Sequence, residues 1–354
     1  MKLPKLLYRA DQVRALDRVA IDTFHIPGIQ LMENAGVATY RALRKYWPRA
    51  RHISVFCGAG NNAGDGFVIA RLAHESELTV TVYLLADSAR LKGDAKLAYE
   101  KLQQTTVSVQ VFNGAIDDSC DVIVDALLGT GLSGDVKDQW NTAIAAINRA
   151  KSTTSCHVVA VDIPSGLHAD TGSVLGAAVK ADVTVTFIGL KQGLFTGQGP
   201  DYCGELIFDD LAVPPETYEH VDTSAGRITE EQVASLLPSR PRCAHKGRNG
   251  HVLVIGGNKG LIGAARMAGE AALRSGAGLV SVATRPEHVT AIVGACPELM
   301  CHGVESKRQL KSLLTAATSI AIGPGLGQDE WAQELLGAVL ESSKPLVMDA
   351  DALN

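Results

Sequence analysis

Residues 55–66 read VFCGAGNNAGDG. An apolar run enters a turn that holds Gly58, Gly60 and Gly64 beside Asn61, Asn62 and Asp65. The same design recurs as VIVDALLGTGLSGD at 122–135 and as VAVDIPSG at 159–166. Each reads as a buried strand that ends in a polar or glycine-rich turn. In an open parallel sheet the carboxyl ends of the strands line one edge, and ligands bind there. Asn61, Asn62, Asp65, Asp125, residues 129–135, Asp162 and Ser165 should therefore converge, although they are far apart in the chain. The glycines permit tight turns and close approach of backbone to a ligand. A helix expected from Gly66 would point free N–H groups at the first turn, which suits a phosphate. Asp65 either caps that helix or holds a ribose hydroxyl. Asp125 and Asp162 are costly to bury unless paired, hydrogen-bonded or bound to a cation. Each serves either as a strand-end cap or, with Asn62 and Ser165, in an all-oxygen set suited to a hard cation.

Outward from these turns, apolar strands alternate with amphipathic helices. Helices are expected at 10–23, with Asp11 as N-cap, and at 27–46, 66–74, 95–102 and 140–149. Strands are expected at 52–57, 78–85, 107–112, 120–127, 157–163, 182–188 and 204–209. The pattern predicts a doubly wound, mostly parallel α/β sheet. At 214–226 the text becomes PPETYEHVDTSAG, polar and without an apolar period, which marks a linker. This divides the chain into domains 1–222 and 227–354. Alternation then restarts, with strands at 251–255, 279–283, 319–322 and 346–348 and a helix at 262–274. The last residues, VMDADALN, read as a strand running into a loop with no closing helix.

Composition narrows the function classes. The 354 residues are 46% hydrophobic and 20% charged with a net charge of −5, which fits a globular protein without a nucleic-acid groove. The seven cysteines include no C-x-x-C pair and read as reduced, buried thiols. Cys296 and the Cys301-His302 pair lack a second pair of metal ligands. No apolar run is long enough for a signal peptide or a membrane span. A cytoplasmic homo-oligomer without nucleic-acid or membrane partners is expected.

GAGNNAGDG, VDALLGTGL and VDIPSG resemble the NAD(P)H-hydrate epimerase family in order and spacing, and LMENAG at 31–36 and TFIGLKQG at 186–193 extend the likeness over 8–212. The resemblance implies a Rossmann-like fold, hydrated NADH and NADPH as substrates, and a potassium ion. It assigns the K+ to Asn62, Asp125 and Ser165. It assigns the substrate to Asn61, Asn62, Ala63, Gly64 and Asp65, to Gly129, Thr130, Gly131, Leu132, Ser133, Gly134 and Asp135, and to Asp162. Ala63 departs from the family's usual glycine. If that backbone needs positive φ, alanine costs roughly 1 kcal/mol. The reaction moves a hydroxyl on the carbon beside the ring nitrogen from one face to the other, directly or through a ring-opened aldehyde. It needs an acid–base group, and Asp162 is the candidate, because it ends an apolar strand and can face the ring.

HKGRNGHVLVIGG at 245–257, IGPGLGQ at 322–328 and DADALN at 349–354 resemble the ribokinase-like, ADP/ATP-dependent NAD(P)H-hydrate dehydratases, with Ala264 and Gly325 at the hydrated cofactor. Residues 228–354 contain neither that family's G-x-G-D segment nor its histidine–proline–glycine–glutamate segment. The expectation is a truncated, ribokinase-like half that would use ADP or ATP if complete, exposes unfinished apolar surface and does not dehydrate. Three rivals stand beside this reading. A non-catalytic scaffold would lose the acidic strand ends, which are present. A dehydrogenase would need a strict G-x-G-x-x-G turn; Asp87 could hold a ribose, but the turn reads G-A-G-N-N-A. A sugar or vitamin kinase would need the missing aspartate.

Overall fold

The computed structural model describes residues 3–237 and 239–354. It divides into two compact units that meet in sequence between Leu236 and Leu237. In the first unit the elements run β1 (Leu6–Tyr8), α1 (Ala10–Asp22), α2 (Gly28–Tyr46), β2 (His52–Cys57), α3 (Asn61–Glu75), β3 (Thr79–Leu84), α4 (Gly93–Leu102), β4 (Ser108–Val111), β5 (Val122–Ala126), α5 (Asp138–Thr153), β6 (His157–Val161), β7 (Val183–Phe187), β8 (Leu190–Lys191), α6 (Gly199–Tyr202), β9 (Glu205–Asp209), β10 (Ala225–Gly226) and α7 (Glu230–Leu236).

Seven strands form one sheet in the order β4-β3-β2-β5-β6-β7-β9. Every pairing in it is parallel. The order reverses between β2 and β5, so the turns that leave these two strands diverge and open a crevice at their carboxyl ends. The pleat sorts the strand residues onto two cores. Ile53, Val55 and Cys57 face α2, α3 and α4, with Phe67, Ile69 and Leu43 behind them. Phe56, Ile123, Val158 and Ala160 face α5 through Ala143, Ile144 and Ile147. Strands buried on both faces read as continuous apolar runs.

Several expectations need correction. The helix after β2 begins at Asn61, not Gly66, and Gly60 precedes it in extended backbone. Asp65 therefore lies within the helix and does not cap it. Ala63 is helical and fully buried, so the strain feared for a positive φ does not arise. The glycines serve helix packing more than turning. A Cβ on Gly64 would lie 2.4 Å from Met32 Sδ, and one on Gly66 would lie 2.7 Å from the Ala126 Cβ. α1 is not capped by Asp11. Its first N–H, on Ala10, donates to Asp170 in the loop after β6 at 2.7 Å.

The stretch read as a linker belongs to the first unit. Residues 215–220 form a 3-10 turn in which Thr217 is buried. Ala225 pairs antiparallel with Leu7 in a small sheet of order β10-β1-β8. Strands of two or three residues carry no periodicity, so nothing in the sequence announced them.

The second unit runs β11 (His251–Ile255), α8 (Ile262–Arg274), β12 (Leu279–Thr284), α9 (Val289–Ala295), β13 (Met300–Gly303), α10 (Lys307–Ala316), β14 (Ser319–Ile322), α11 (Glu330–Leu340) and β15 (Leu346–Met348). Its five strands are parallel, in the order β13-β12-β11-β14-β15. One face packs on α10 and α11 through Leu310, Trp331 and Leu335, and the other on α8 and α9 through Ala265 and Ile292. A 3-10 turn at Ala350–Ala352 follows β15, with Ala352 buried and Val347 and Leu353 exposed. Among the described residues, no helix is long and apolar enough to cross a membrane.

A Cβ on Gly36 would lie 2.4 Å from Val68 Cγ1, where α2 crosses α3. Gly36→Ala should therefore cost about 1–3 kcal/mol and lower the thermal midpoint by several degrees. An unchanged midpoint in a melting experiment would mean that these helices do not pack this closely.

Candidate active site at the switch point of the sheet

The crevice between β2 and β5 gathers its groups from five segments. From the first turn of α3 comes Asn62. It is buried, and neither its Oδ1 nor its Nδ2 has a hydrogen-bond partner. Such an orphan is expensive unless a ligand satisfies it. From β5 comes Asp125, fully buried. Its carboxylate accepts the Ser165 N–H at 2.8 Å, the Ser165 hydroxyl at 2.6 Å and the Leu127 N–H at 3.4 Å. Burial pushes its carboxyl up to about 6, and the bonds from Ser165 and Leu127 pull against that rise. Its partners are hydrogen-bond donors, and none is a cation. Ser165 Oγ also accepts the Leu128 N–H at 2.9 Å, which ties the loop after β6 to the loop after β5.

Asp162 follows β6 in left-handed backbone, φ 69°, where a non-glycine residue is strained. Its N–H donates to Val185 O at 2.7 Å, which holds the strained residue in place. Its carboxylate pairs with the Lys191 ammonium and accepts the Phe187 N–H at 3.4 Å. Lys191 is fully buried, and it also donates to Thr186 Oγ1 at 3.1 Å and to Phe187 O at 3.0 Å. β8 delivers this lysine by pairing with β1, Lys191 opposite Tyr8.

α1 closes the side of the site. Val13 and Leu16 lie against Gly189, each 3.2 Å from the position a Cβ there would take. Arg14 Nη1 donates to Thr130 O in the glycine loop at 3.3 Å. Asp17, next to Leu16 on this helix, is pushed up to about 6, chiefly by burial; Lys191 opposes the rise, Asp162 adds to it and Arg14 opposes it. Burial, then Asp162 and Asp17, also raise the carboxyl of Asp65 well above the usual range.

The structure thus brings together Asn62, Asp65, Asp125, Asp162 and Ser165, with Asn61 at the start of α3. It only partly gathers the loop 129–135. Gly129 borders Asn62, 3.5 Å from Cβ position to Cβ. Gly131, Ser133, Gly134 and Asp135 are exposed, and Leu132 is partly buried. The loop leaves towards Gly176, where Val136 N–H donates to Leu175 O at 2.9 Å. Lys191 and Asp17 were not singled out in the sequence. Their signals were there: a lysine inside the apolar run TFIGLKQG, and a carboxylate that interrupts the Val13–Leu16–Ala20 face.

The second unit has its own crevice, where the turns after β11 and β14 meet. Asn258 N–H donates to Gly325 O at 2.7 Å. Gly325 has φ 59°, and a Cβ there would lie 2.5 Å from Leu261 O, so only glycine fits. Ala264 stands in the first turn of α8, just beyond Leu261. Arg285, also missed in the sequence, donates to Asn258 Oδ1 and Asp329 Oδ2, both at 2.9 Å, and stacks 4.4 Å over Trp331. Lys246 sits before β11, at the opposite end of that strand, in a 3-10 turn.

The family described as YjeF-related protein N-terminus matches residues 28–193, and the family described as NAD(P)H-hydrate dehydratase matches 252–354. The bifunctional NAD(P)H-hydrate repair enzyme of Coxiella burnetii is 51% identical over 349 residues, 99% of this chain and 70% of the relative. That of Escherichia coli is 41% identical over 354 residues, 100% of this chain and 68% of the relative. The chain belongs to the bifunctional NAD(P)H-hydrate repair enzymes. A yeast protein of solved structure, YNL200c, shares the fold alone, at 19% identity and TM-score 0.53, over 64% of this chain and 98% of its own. A dehydratase domain is present in this repair enzyme over 252–354. The expectation of a truncated half without that activity, drawn from the missing G-x-G-D segment, finds no support in these matches.

Removing Asp162 would leave the buried Lys191 ammonium without its carboxylate. Asp162→Ala should therefore cost roughly 3 kcal/mol in urea unfolding. Adding Lys191→Met should recover most of the loss. Equal stability of the single variant and the parent would show that the pair is not buried together.

Proposed function

We propose that the first unit epimerises the hydroxyl of hydrated NADH and NADPH at the crevice between β2 and β5. The observation that carries this reading is the strained Asp162 held against the buried Lys191 ammonium beside an open helix N-terminus. The ring with its hydroxyl lies over Asp162. Asn61 to Asp65 and the loop from Gly129 to Asp135 bind the remainder, with the free N–H groups of α3 suited to the diphosphate. Asp162 takes and returns the proton of the migrating water, and Lys191 holds its carboxylate in one orientation. Asp17 carries a proton for part of the population near neutral pH and serves as the acid partner. Two carboxyls with different environments divide acid and base roles in this way.

Asn62, Asp125 and Ser165 hold a potassium ion in this reading. The orphaned Asn62 amide oxygen and the buried Asp125 carboxylate, whose partners are donors without charge, fit a hard cation. When bound, the ion supplies a fixed positive charge at the turn where the substrate's anionic part lies. In the second unit, Ala264 and Gly325 contact the hydrated cofactor, and dehydration there depends on ADP or ATP.

The test follows exchange between the two epimers of hydrated NADPH by chromatography, with and without potassium. Exchange well above the spontaneous rate is expected. Asp162→Asn should lower it by about 100-fold or more. Asp125→Asn should abolish the potassium dependence while leaving a folded protein. A folded chain that gives only the spontaneous rate would overturn the epimerase reading and favour a scaffold.

The pH profile gives a second check. The protonated fraction of Asp17 falls as pH rises through about 6. Catalysed exchange, corrected for the spontaneous reaction, should therefore decline across that range. Asp17→Asn should flatten this limb, and Asp17→Glu should restore it. A limb that persists unchanged in Asp17→Asn would remove Asp17 from the mechanism.

A further inference from the structure

Away from the crevice, at the amino-terminal ends of β5 and β6, two cysteines meet. Cys120 precedes β5 and Cys156 precedes β6. Both are buried, and the Cys156 thiol donates to Cys120 Sγ at 3.6 Å. The contact is diagonal across a parallel pair whose register sets Val122 opposite His157. A cleft of about 230 Å³ is lined by both cysteines, together with residues 114–118, Arg149, Thr153 and Thr154. Buried cysteines are usually inert packing, and solvent seldom reaches them. Here two of them line one cleft.

We propose that Cys120 and Cys156 form a reversible dithiol–disulfide site that reacts with small disulfides entering this cleft. Cys120 is the attacking sulfur: the bond from the Cys156 thiol holds its own thiol below the usual value, against burial. Its thiolate attacks one sulfur of a low-molecular-weight disulfide. A Cys120–S–S–R bond forms, the R–S–S–R bond breaks, and one thiolate leaves. Cys156 then loses its proton to that thiolate and attacks Cys120 Sγ, which expels the second R–S group as a thiolate that takes a proton from water. The protein loses two electrons and two protons, and one small disulfide becomes two thiols. The new bond would close the segment that carries Asp125, the loop 129–135 and α5. A cross-link over a loop of that length restrains the unfolded chain and raises the melting temperature.

Oxidised glutathione is the probe, applied to the full chain carrying Cys243→Ser, because Cys243 is exposed and would react on its own account. Intact mass should fall by about 2 Da, the two hydrogens lost on oxidation. Peptide mapping should find Cys120 joined to Cys156, and the thermal midpoint should rise by several degrees. Dithiothreitol should reverse all of this. Cys120→Ser and Cys156→Ser should each prevent it. The proposal is overturned if mapping of the folded, oxidised protein finds both thiols free. It is overturned equally if glutathione stays on one of them, since the neighbouring thiol would then have failed to resolve it. The wild-type mapping decides the matter even if either serine variant folds poorly.

Discussion

The parallel pairing of β2 with β5 is the constraint on which the first unit depends. It sets Phe56 opposite Asp125 and Cys57 opposite Ala126, so the two strands end side by side while their chains turn away to opposite faces. A crevice must open there, because no crossover covers the gap. The polar residues that end β5 and follow β2 and β6 are thereby brought to one edge, while Gly131, Ser133, Gly134 and Asp135 stay exposed. Burial on both sheet faces makes the strands apolar and keeps water out. That exclusion is what raises the carboxyls of Asp125, Asp65 and Asp17.

The crevice contains charge that the protein does not neutralise by itself. Lys191 balances Asp162, but Asp125 is met only by uncharged donors, and Asn62 by nothing. Leaving such groups inside a protein costs several kcal/mol in total. A folded chain tolerates this where binding a ligand removes the penalty. The left-handed backbone at Asp162 is a further cost of about 1–3 kcal/mol held by surrounding structure. The strain at Asp162, the orphaned Asn62 amide and the raised carboxyls of Asp65, Asp125 and Asp17 share this one crevice.

Small elements do the positioning. α1 reaches the site because Asp170 receives its first N–H and because Gly189 leaves room for Val13 and Leu16. β1 and β8 are three and two residues long, yet their pairing buries the lysine that pairs with Asp162. β10, in a stretch that reads as a linker, completes that small sheet. The second unit repeats the logic with a smaller sheet: its crevice lies where the turns after β11 and β14 meet, and Gly325 is the residue whose missing side chain makes that meeting possible.

Fold class, most strand positions and one set of candidate site residues were legible in the order of the amino acids alone. The reason is that long buried strands and amphipathic helices leave strong periods of two and 3.6, and polar turns at strand ends identify the ligand edge of a parallel sheet. Asn62, Asp125, Asp162 and Ser165 were legible for that reason. Tertiary structure alone decided the start of α3, where Gly64, read as a turn residue, instead admits Met32 against a helix. It decided the place of residues 215–226, whose pairing with β1 is a contact across more than two hundred residues. It also decided that Lys191 and Asp17 join the site. A lysine in an apolar run and an acid on a helix face do not by themselves point to Asp162, and only the packing of α1 and β8 brings their charges to it.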